Sequence, residues 1–318
     1  LGYRVHGQVE DAWELGVPQK RRRQLIVGTR TDIPGYFLPI LKPAPCAFPR
    51  TLLGSALGDL PVLLAGSGTD ECDYDLALRA ESMLNESTRN YLTKVLEVEQ
   101  TNKLTNHVAR PHSDRDLRDF ARLREGESSA VAMRNGVVFE FPYDKSSFKD
   151  RYTRQSRFSA CSTIVAHLSK DGLMFIHPTQ NRSLTPREAA RVQSFPDWFR
   201  FPAARTHSFR MIGNAVPPLI AEAVGLAVAS FLNEESHVSN NSKKPDTMMH
   251  IPKNEAEALN WLLPLIDIEG RELRGLSDFR FKRGWAAILF LYSGLHPDGA
   301  CERGSVSYEI EDIPSVSC

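Results

Sequence analysis

Four apolar stretches of the chain have helical spacing and recognisable ends. They predict helices over Thr51–Leu60, over Ser113–Leu123, after Thr185, and from Pro218 to about Leu232. In the third, Thr185 precedes a Pro at the first helical position and a Glu three residues later, which is the arrangement of a capping box. The sequence therefore predicts where these helices begin and end better than it predicts how they pack.

Shorter apolar runs predict strands. The segment Arg23–Gly28 reads as a buried strand, and Ser162–Ala166 and Leu173–Ile176 read as two strands joined by a hairpin turn at Lys170–Gly172. Residues 66–75 are rich in Gly and Asp and are expected to form a loop. A polar stretch after Ser236 predicts a linker, and an unassigned helical tail follows it.

Composition excludes several classes of protein. The 318 residues carry 39 basic and 39 acidic side chains, which argues against coating nucleic acid by bulk charge. Five scattered cysteines without a C-x-x-C pair disfavour structural zinc and a disulfide framework, so we expect a reducing cytosol and no metal site. No run is judged long and apolar enough to span a membrane. The first residue is Leu1, from which we expect a fragment.

The charge is distributed unevenly. Residues 1–30 hold six basic against three acidic side chains, and residues 145–215 hold twelve against four. The segments 31–99 and 216–318 are acidic and cancel this excess. The two basic segments can form one anion-binding face if the chain folds back on itself, although charges that are simply solvated remain an alternative.

Three motifs carry the chemistry. Residues 16–23 read GVPQKRRR, residues 182–199 read RSLTPREAARVQSFPDWF, and residues 210–221 read RMIGNAVPPLIA. In this order they resemble blocks VIII, IX and X of the cytosine-5 DNA methyltransferases. The resemblance extends from about Leu1 to Leu232 and includes the stretch near Thr51–Pro61 and the neighbourhood of Asn106.

In the first motif Gln19, Arg21 and Arg23 alternate, so an extended chain would project them to one side and its two other basic residues to the opposite side. The resemblance implies that these three are the catalytic-pocket residues. Arg23 would hold O2 of a cytosine flipped out of the duplex, and Gln19 and Arg21 would support it. A donor at O2 favours the negative charge that develops on the ring during attack. A merely solvated basic strand is the alternative.

The other two motifs are assigned by the same resemblance. Block IX implies a structural role for Arg187, Glu188 and Arg191, with a buried salt bridge or scaffolding role for the first two, and direct phosphate contacts from this block are disfavoured. Block X implies that Asn214 and Ala215 approach the methionine part of S-adenosylmethionine, the expected cofactor. An ordinary helix-capping Asn is the alternative for Asn214.

About 150 residues separate blocks VIII and IX, where the family keeps its variable target-recognition region. A basic run with interleaved aromatic residues there suits a DNA groove, because Lys and Arg neutralise phosphates and aromatic rings pack on opened duplex. The expected DNA contacts are Lys145, Lys149, Arg151, Arg154, Arg157, Thr163 and Lys170.

Residues that perform the family's chemistry are absent. The chain has no Phe-x-Gly-x-Gly loop, no Pro-Cys-Gln nucleophile loop and no Glu-Asn-Val block. Cys46 follows a Pro, but Ala47 comes next and the position lies after block VIII, so we expect an ordinary thiol. The chain alone is therefore expected to be inactive, with S-adenosylmethionine bound mainly by a missing N-terminal half.

The resemblance implies an α/β fold: the C-terminal part of a doubly wound S-adenosylmethionine-dependent methyltransferase sheet plus a smaller mixed target-recognition domain. The expected divisions are 1–30 (end of the catalytic domain), 31–180 (linker and recognition region), 181–235 (blocks IX and X) and 236–318 (linker and tail).

The implied function is that of a DNA (cytosine-5-)-methyltransferase, C-terminal portion, in restriction-modification or related DNA modification. The expected partners are double-stranded DNA, the missing half in cis or as a separate subunit, and a cognate restriction endonuclease, in the bacterial cytosol or nucleoid and without a membrane. A non-catalytic DNA-binding remnant, or a subunit of a split enzyme, is the alternative.

Overall fold

A computed structural model of the chain describes residues 3–30, 41–101, 103–141, 152–201, 204–234 and 288–289. Five strands lie in these ranges: β1 Tyr3–Asp11, β2 Arg22–Arg30, β3 Gly68–Cys72, β4 Leu104–Val108 and β5 Ile288–Leu289. The α-helices are α1 Leu53–Leu57, α2 Leu76–Ser82, α3 Glu86–Asn90, α4 Asp114–Ala121, α5 Ser129–Arg134, α6 Pro186–Val192, α7 Arg205–Asn214 and α8 Pro218–Glu234. The tail beyond residue 234, apart from β5, lies outside the described residues.

The N-terminal residues form an antiparallel hairpin. Strand β1 pairs with β2 from Tyr3 opposite Arg30 to Asp11 opposite Arg22, and β5 adds to the other edge of β2. The predicted strand at residues 23–28 is thus present and longer than expected, because β1 extends the ladder at both ends. The strand ladders of the described ranges are all antiparallel.

The loop prediction for residues 66–75 is wrong in its centre. Residues 68–72 form β3, which pairs antiparallel with β4. Its side chains are exposed or partly exposed, so neither face has the apolar alternation that marks a strand in sequence. Asn106 interrupts β4 in the left-handed region, at φ 61°, and its side chain pairs with the backbone of Phe201 instead.

The predicted helices are present in the structure, which shows where they end and which side chains cap them. Helix α1 covers only Leu53–Leu57 of the predicted Thr51–Leu60. Ser113 caps α4 by accepting from the backbone N–H of Asp116, and Thr185 and Glu188 form the predicted capping box of α6. Sequence patterning missed α7, because its apolar positions are few and the chain leading into it has no capping side chain.

Two apolar cores lie in the described chain. The larger contains Leu25 and Val27 of the hairpin together with buried residues of α1, α6, α7 and α8. The smaller is centred on Phe120, Tyr152 and Ile176 of the predicted recognition region. Within that region the expected hairpin is wrong: Ala166–Ser169 is a 3-10 turn, and Gly172 (φ 76°) turns the chain so that Phe175 N donates to its carbonyl.

Among the described residues, Arg205–Leu232 is the one segment long and apolar enough to cross a membrane, judged by length and composition alone. The sequence predicted no membrane-spanning segment, and this prediction is corrected as far as length and composition are concerned. The length is reached only by joining α7 to α8, and Ala215 between them is extended, with ψ 150°. Leu219 and Val224 of α8 pack in the larger core, which is what a core helix of this composition does.

Candidate functional site

The basic segment at residues 19–23, which leads into β2 and which we call the basic strand, has one buried and one exposed face. Gln19 and Arg21 are buried, Lys20 and Arg22 are exposed, and Arg23 is partly exposed. This is the alternation predicted for an extended segment. Backbone bonds hold the segment against residue 161, because Lys20 N donates to Cys161 O at 2.8 Å and Cys161 N donates to Pro18 O at 2.9 Å.

Gln19 is enclosed by hydrogen bonds to two distant segments. Its Oε1 accepts from Ile164 N at 3.1 Å, and its Nε2 donates to Val192 O at 3.2 Å and to Gln193 Oε1 at 2.7 Å. Gln193 Nε2 in turn donates to Ile212 O at 2.7 Å. Since a backbone N–H can meet only the amide oxygen, the orientation of both amides follows from their partners.

Arg21 connects the same segments from the other end. Its Nη1 donates to Ile164 O at 2.8 Å, and its Nη2 lies 3.5 Å from Ala215 O. Together with the two glutamine side chains, this makes a closed circuit of side chains and backbone, which we call the amide ring; its members are Gln19, Arg21, Ile164, Gln193, Ile212 and Ala215. The ring joins the basic strand, the predicted recognition region, the end of α6 and the α7–α8 junction.

Arg23 differs from the two buried residues of its motif. It is partly exposed on the inner face of the hairpin, it lies opposite Glu10 in the strand register, and its Nη1 donates to Arg22 O at 2.7 Å. Burial raises the pKa of Glu10. Of the three predicted pocket residues, Arg23 alone has a side chain that a ligand can reach, while Gln19 and Arg21 hold the strand that carries it.

The α7–α8 junction contains the predicted cofactor residues. The dipeptide Gly213-Asn214 predicts a turn by its sequence, but both residues form the end of α7. A Cβ on Gly213 would lie 2.2 Å from Ala166 N and 2.3 Å from Val165 C, so only glycine permits this close approach of α7 to the 3-10 turn. Asn214 is exposed and Ala215 is partly exposed.

Helix α6 is built around a buried ion pair. Arg182 and Glu188 are completely buried and meet in a two-pronged contact of 2.8 and 2.7 Å, and Thr185 N donates to the same carboxylate at 2.7 Å. Burial alone would raise the pKa of Glu188, but Arg182 lowers it well below its usual range. The partner of Glu188 is therefore Arg182 and not Arg187.

Arg191 and Arg187 occupy the next turns of the same helix and are also completely buried. Arg191 binds Asp59 and Asp197; its Nε lies 2.9 Å and its Nη2 2.5 Å from the carboxylate oxygens of Asp197. Arg187 donates to Thr105 O at 2.9 Å and to Phe199 O at 2.7 Å. No phosphate could reach these guanidinium groups, as the sequence analysis expected.

Two buried histidines border this network. His107 lies 3.1 Å from Thr185 Oγ1 and 3.0 Å from Pro61 O, and His177 Nε2 lies 3.7 Å from Glu188. Burial lowers the pKa of His107, and it lowers the pKa of His177 to about 4. Both rings are therefore neutral at pH 7 and serve as hydrogen-bonding parts of the scaffold.

The predicted DNA contacts separate into three groups. Lys145, Lys149 and Arg151 lie outside the described residues. Arg154 is buried, and its guanidinium donates to Leu123 O at 3.0 Å, to Phe120 O at 2.8 Å and to three carbonyls of residues 177–180. It staples α4 to that loop, so the expected DNA contact by Arg154 is corrected to a structural role.

The remaining three predicted contacts are accessible. Arg157 is half-exposed, lies 3.5 Å from Glu125 and stacks over Phe158 with 4.9 Å to the ring centroid. Lys170 is exposed at the end of the 3-10 turn. Thr163 is partly exposed, but its hydroxyl already donates to Lys20 O. Arg157 and Lys170 thus remain the better placed for a phosphate.

Cys46 behaves as the sequence predicts for an ordinary loop thiol. It is partly buried, and its Sγ lies 3.9 Å from Glu222 Oε2. Burial and then the neighbouring carboxylate raise the pKa of Cys46, which is the opposite of what an activated nucleophile needs. Within the described ranges no three His, Cys, Asp or Glu side chains converge on a possible metal ion.

Sequence reasoning missed the partners that complete these networks. Asp59, Asp197 and Gln193 are buried and hydrogen-bonded. Asp59 and Gln193 meet groups more than 100 positions away, whereas Asp197 binds Arg191 only six positions before it. In the sequence, such residues can be noticed only as polar residues within apolar stretches: Asp59 lies in the α1 region and Gln193 in the middle of block IX. Patterning could mark such residues as unusual but could not supply their partners.

The chain is similar in sequence to known proteins. Residues 1–230 match the family described as C-5 cytosine-specific DNA methylase. The chain is similar to the type II methyltransferase M.DdeI of Desulfomicrobium norvegicum, at 32% identity over 76% of this chain and 58% of that protein. It is also similar to the type II methyltransferase M.XorII of Xanthomonas oryzae, at 29% identity over 76% of this chain and 53% of that protein.

A solved structure supports the fold assignment. Its protein is described as a DNA modification methyltransferase encoded within an E. coli prophage, and it matches with a TM-score of 0.52 and 24% identity, over 73% of this chain and 62% of that one. At this identity the likeness concerns the fold alone. The chain spans between half and three fifths of the length of the first three curated relatives, all of them type II methyltransferases.

Proposed function

The chain belongs to the C-5 cytosine-specific DNA methylase family, and we propose that it is the C-terminal portion of a DNA (cytosine-5-)-methyltransferase that modifies a specific double-stranded sequence. The names of its type II relatives favour a role in restriction-modification. The amide ring is the observation that carries this proposal, because it joins all three motifs of the family to the recognition region at one place.

In this proposal Arg23 donates to O2 of the flipped cytosine. Gln19 and Arg21 are fully engaged by backbone and side-chain partners, so they keep the strand straight and do not touch the base. A preorganised guanidinium at O2 stabilises the negative charge that the ring acquires when a nucleophile adds at position 6. Flipping the base costs a few kcal/mol, which DNA contacts must offset.

S-adenosylmethionine would supply the methyl group, and the junction after α7 fits its polar end. The exposed Asn214 side chain makes no hydrogen bond to another described residue, and it offers both a donor and an acceptor. Ala215 adds an extended backbone next to it. These two residues would hold the methionine part, and the remainder of the cofactor site would come from the N-terminal half.

The recognition region would span residues 31–180, between the strand that ends near residue 30 and the return of the chain at 181–235. Of the DNA contacts expected there, Arg157 and Lys170 are accessible cations, and Lys145, Lys149 and Arg151 are further candidates. The missing half, in cis or as a subunit, and a cognate restriction endonuclease are the proposed protein partners in the bacterial cytosol. Residues 236–318 have no proposed role.

The first test is genetic. The DNA upstream of the codon for Leu1 should encode Phe-x-Gly-x-Gly, Pro-Cys-Gln and Glu-Asn-Val blocks in the same or a neighbouring frame. Absence of such a frame would leave the alternative of a non-catalytic DNA-binding remnant.

The second test is biochemical. Where the frame exists, both portions are produced together and methyl transfer to duplex DNA is measured with Arg23→Ala and Arg22→Ala. We expect the first variant to lose activity while retaining most DNA binding. The second is the matched control, because Arg22 is exposed on the other face and should leave activity unchanged. Full activity of Arg23→Ala would remove the assigned role.

A further inference from the structure

Helix α7 has a polar face of which the third motif assigns a role to Asn214 alone. Ser208, Phe209 and Ile212 are buried on one side, whereas Thr206, His207, Arg210 and Asn214 are exposed on the other. Positions 206, 210 and 214 are spaced four residues apart and so form one line along the helix. The helix contains no acidic residue, so this face carries only neutral and basic groups.

The two arginines of α7 have no carboxylate partner among the described residues. Arg205 and Arg210 form no ion pair there, whereas several other arginines that are at least partly exposed do. Arg118 and Arg122 both contact Glu140 at 2.7 Å, and Arg200 contacts Glu71 at 3.0 Å. A helix whose cations lack carboxylate partners has its charge available for an external anion.

Another arginine, Arg110, lies beside α7. Arg110 donates to Leu168 O at 3.0 Å and Ser169 O at 3.1 Å, and its guanidinium lies 5.9 Å from the ring centroid of Phe209. Burial and the charge of Arg205 lower the pKa of Arg110, and the carboxylate of Asp171 acts in the opposite direction.

The position of α7 connects this face to the site already described. Ile212 O accepts from the amide ring, and Gly213 rests on the backbone of Val165 and Ala166. The exposed line therefore ends at Asn214, next to the ring. On its flank the 3-10 turn ends at Lys170, whose carbonyl also accepts from Arg110. The face thus lies between the candidate pocket and the recognition region.

We propose that the basic face of α7, formed by Arg205 and Arg210 with His207 and Lys170 beside them, binds the phosphodiester backbone of DNA next to the flipped base. The inference rests on the proposed function, since it takes duplex DNA as the ligand. These side chains would read no bases: they would neutralise phosphates and fix the register of the duplex over the pocket. Nothing in the three motifs assigns this role to α7.

Salt dependence of DNA binding tests the proposal. Equilibrium binding of the full-length protein to two unrelated duplexes is measured from about 50 to 200 mM salt, for wild type, Arg210→Ala and Arg205→Ala. Each lost phosphate contact should make the slope of log affinity against log salt concentration shallower by about 0.9. The drop in affinity between the lowest and highest salt should therefore be about threefold smaller for each variant than for wild type. Binding at low salt should fall to the same extent on both duplexes.

Controls separate this inference from the function on which it rests. Arg89→Ala removes an exposed arginine on α3 and should leave the slope unchanged, while Arg210→Lys should restore it because a point charge is sufficient. An unchanged slope in both alanine variants, with normal wild-type binding, would overturn the role of α7 alone. A loss confined to one duplex would replace phosphate contact by base reading. Failure of the wild-type protein to bind either duplex would overturn the proposed function as well.

Discussion

The side-chain amide of Gln19 donates to that of Gln193 over 2.7 Å, joining residues that are 174 positions apart in the chain. Both residues are completely buried. Through this bond the motif before β2 and the motif of α6 act as one unit, and Gln193 passes the connection on to α7. The pocket strand is thus held by its neighbours in space and not by its own sequence.

Replacing Gln193 should therefore weaken the fold. Gln193→Leu removes the side-chain donor to Ile212 O, which keeps only the backbone N–H of Ala215 at 3.3 Å, and it removes one partner of Gln19. These losses should lower the free energy of unfolding by about 1–3 kcal/mol. Urea denaturation measures the change. Gln100→Leu, at an exposed position, is the control and should change stability by less than about 0.5 kcal/mol. Equal effects in the two variants would mean that the ring contributes nothing to stability.

The junction between α7 and the 3-10 turn depends on one missing side chain. Gly213→Ala places a Cβ against the backbone of Val165 and Ala166, so the helix must move, at a cost of about 3 kcal/mol or more. Gly225→Ala in α8 has open space around it and should stabilise the protein by about 0.5–1 kcal/mol. Thermal unfolding of the pair checks this, and a shift of the same sign in both would be inconsistent with the close approach.

The buried pair of Arg182 and Glu188 can be examined by a double-mutant cycle. Arg182→Met leaves a buried carboxylate without its cation and should cost about 3–5 kcal/mol. Adding Glu188→Gln removes that charge, so the double variant should be more stable than the sum of the single effects requires. Denaturant unfolding of the four proteins gives the coupling energy, and strict additivity would argue against the pair.

Stability should fall in mildly acidic solution. Burial lowers the pKa of His112 and of His177 to about 4, whereas in the unfolded chain these rings titrate near 6.5. Between about pH 6.5 and 4 the unfolded state therefore binds more protons, and stability decreases as the pH falls through that window. Urea midpoints measured from pH 7 to 5 test this, and His112→Gln should make the dependence shallower. A flat profile in wild type would contradict it.

Arg154 and Arg157 should respond in opposite ways. Arg154→Met removes the guanidinium that donates to the carbonyls of Leu123, Phe120 and the 177–180 loop and should cost about 2–4 kcal/mol of stability. Arg157→Ala should change stability by less than about 1 kcal/mol, because its contact with Glu125 is exposed, but it should weaken DNA binding. Unfolding and binding measured on both variants would reveal the reverse pattern if the roles were exchanged.

Local features of the fold could be predicted because their causes lie close together in the chain. The capping box at Thr185, the cap at Ser113, the start of α8 at Pro218 and the alternation of Gln19, Arg21 and Arg23 each depend on a few adjacent residues. The order of the three motifs was sufficient to identify the family. These are the properties that short-range stereochemistry controls.

Other features depended on packing between distant segments. Strand β3 has no apolar face and forms because β4 supplies its hydrogen bonds. Arg154 resembles a DNA contact by its type and its neighbours, yet the carbonyls that converge on it make it a staple. Helix α7 has little apolar periodicity of its own, and it is held by Gln193 and by the turn at Ala166.

The sequence by itself determined the family, the caps of the predicted helices and which side of the basic strand faces inward. Only the tertiary structure decided which of its cations are available to a ligand. Arg21, Arg154, Arg182, Arg187 and Arg191 are all buried against carbonyls or carboxylates, whereas Arg205 and Arg210 have no ion pair within the described residues. The reason is that a guanidinium group can satisfy its donors inside the protein or outside it, and partners far apart in the chain make that choice.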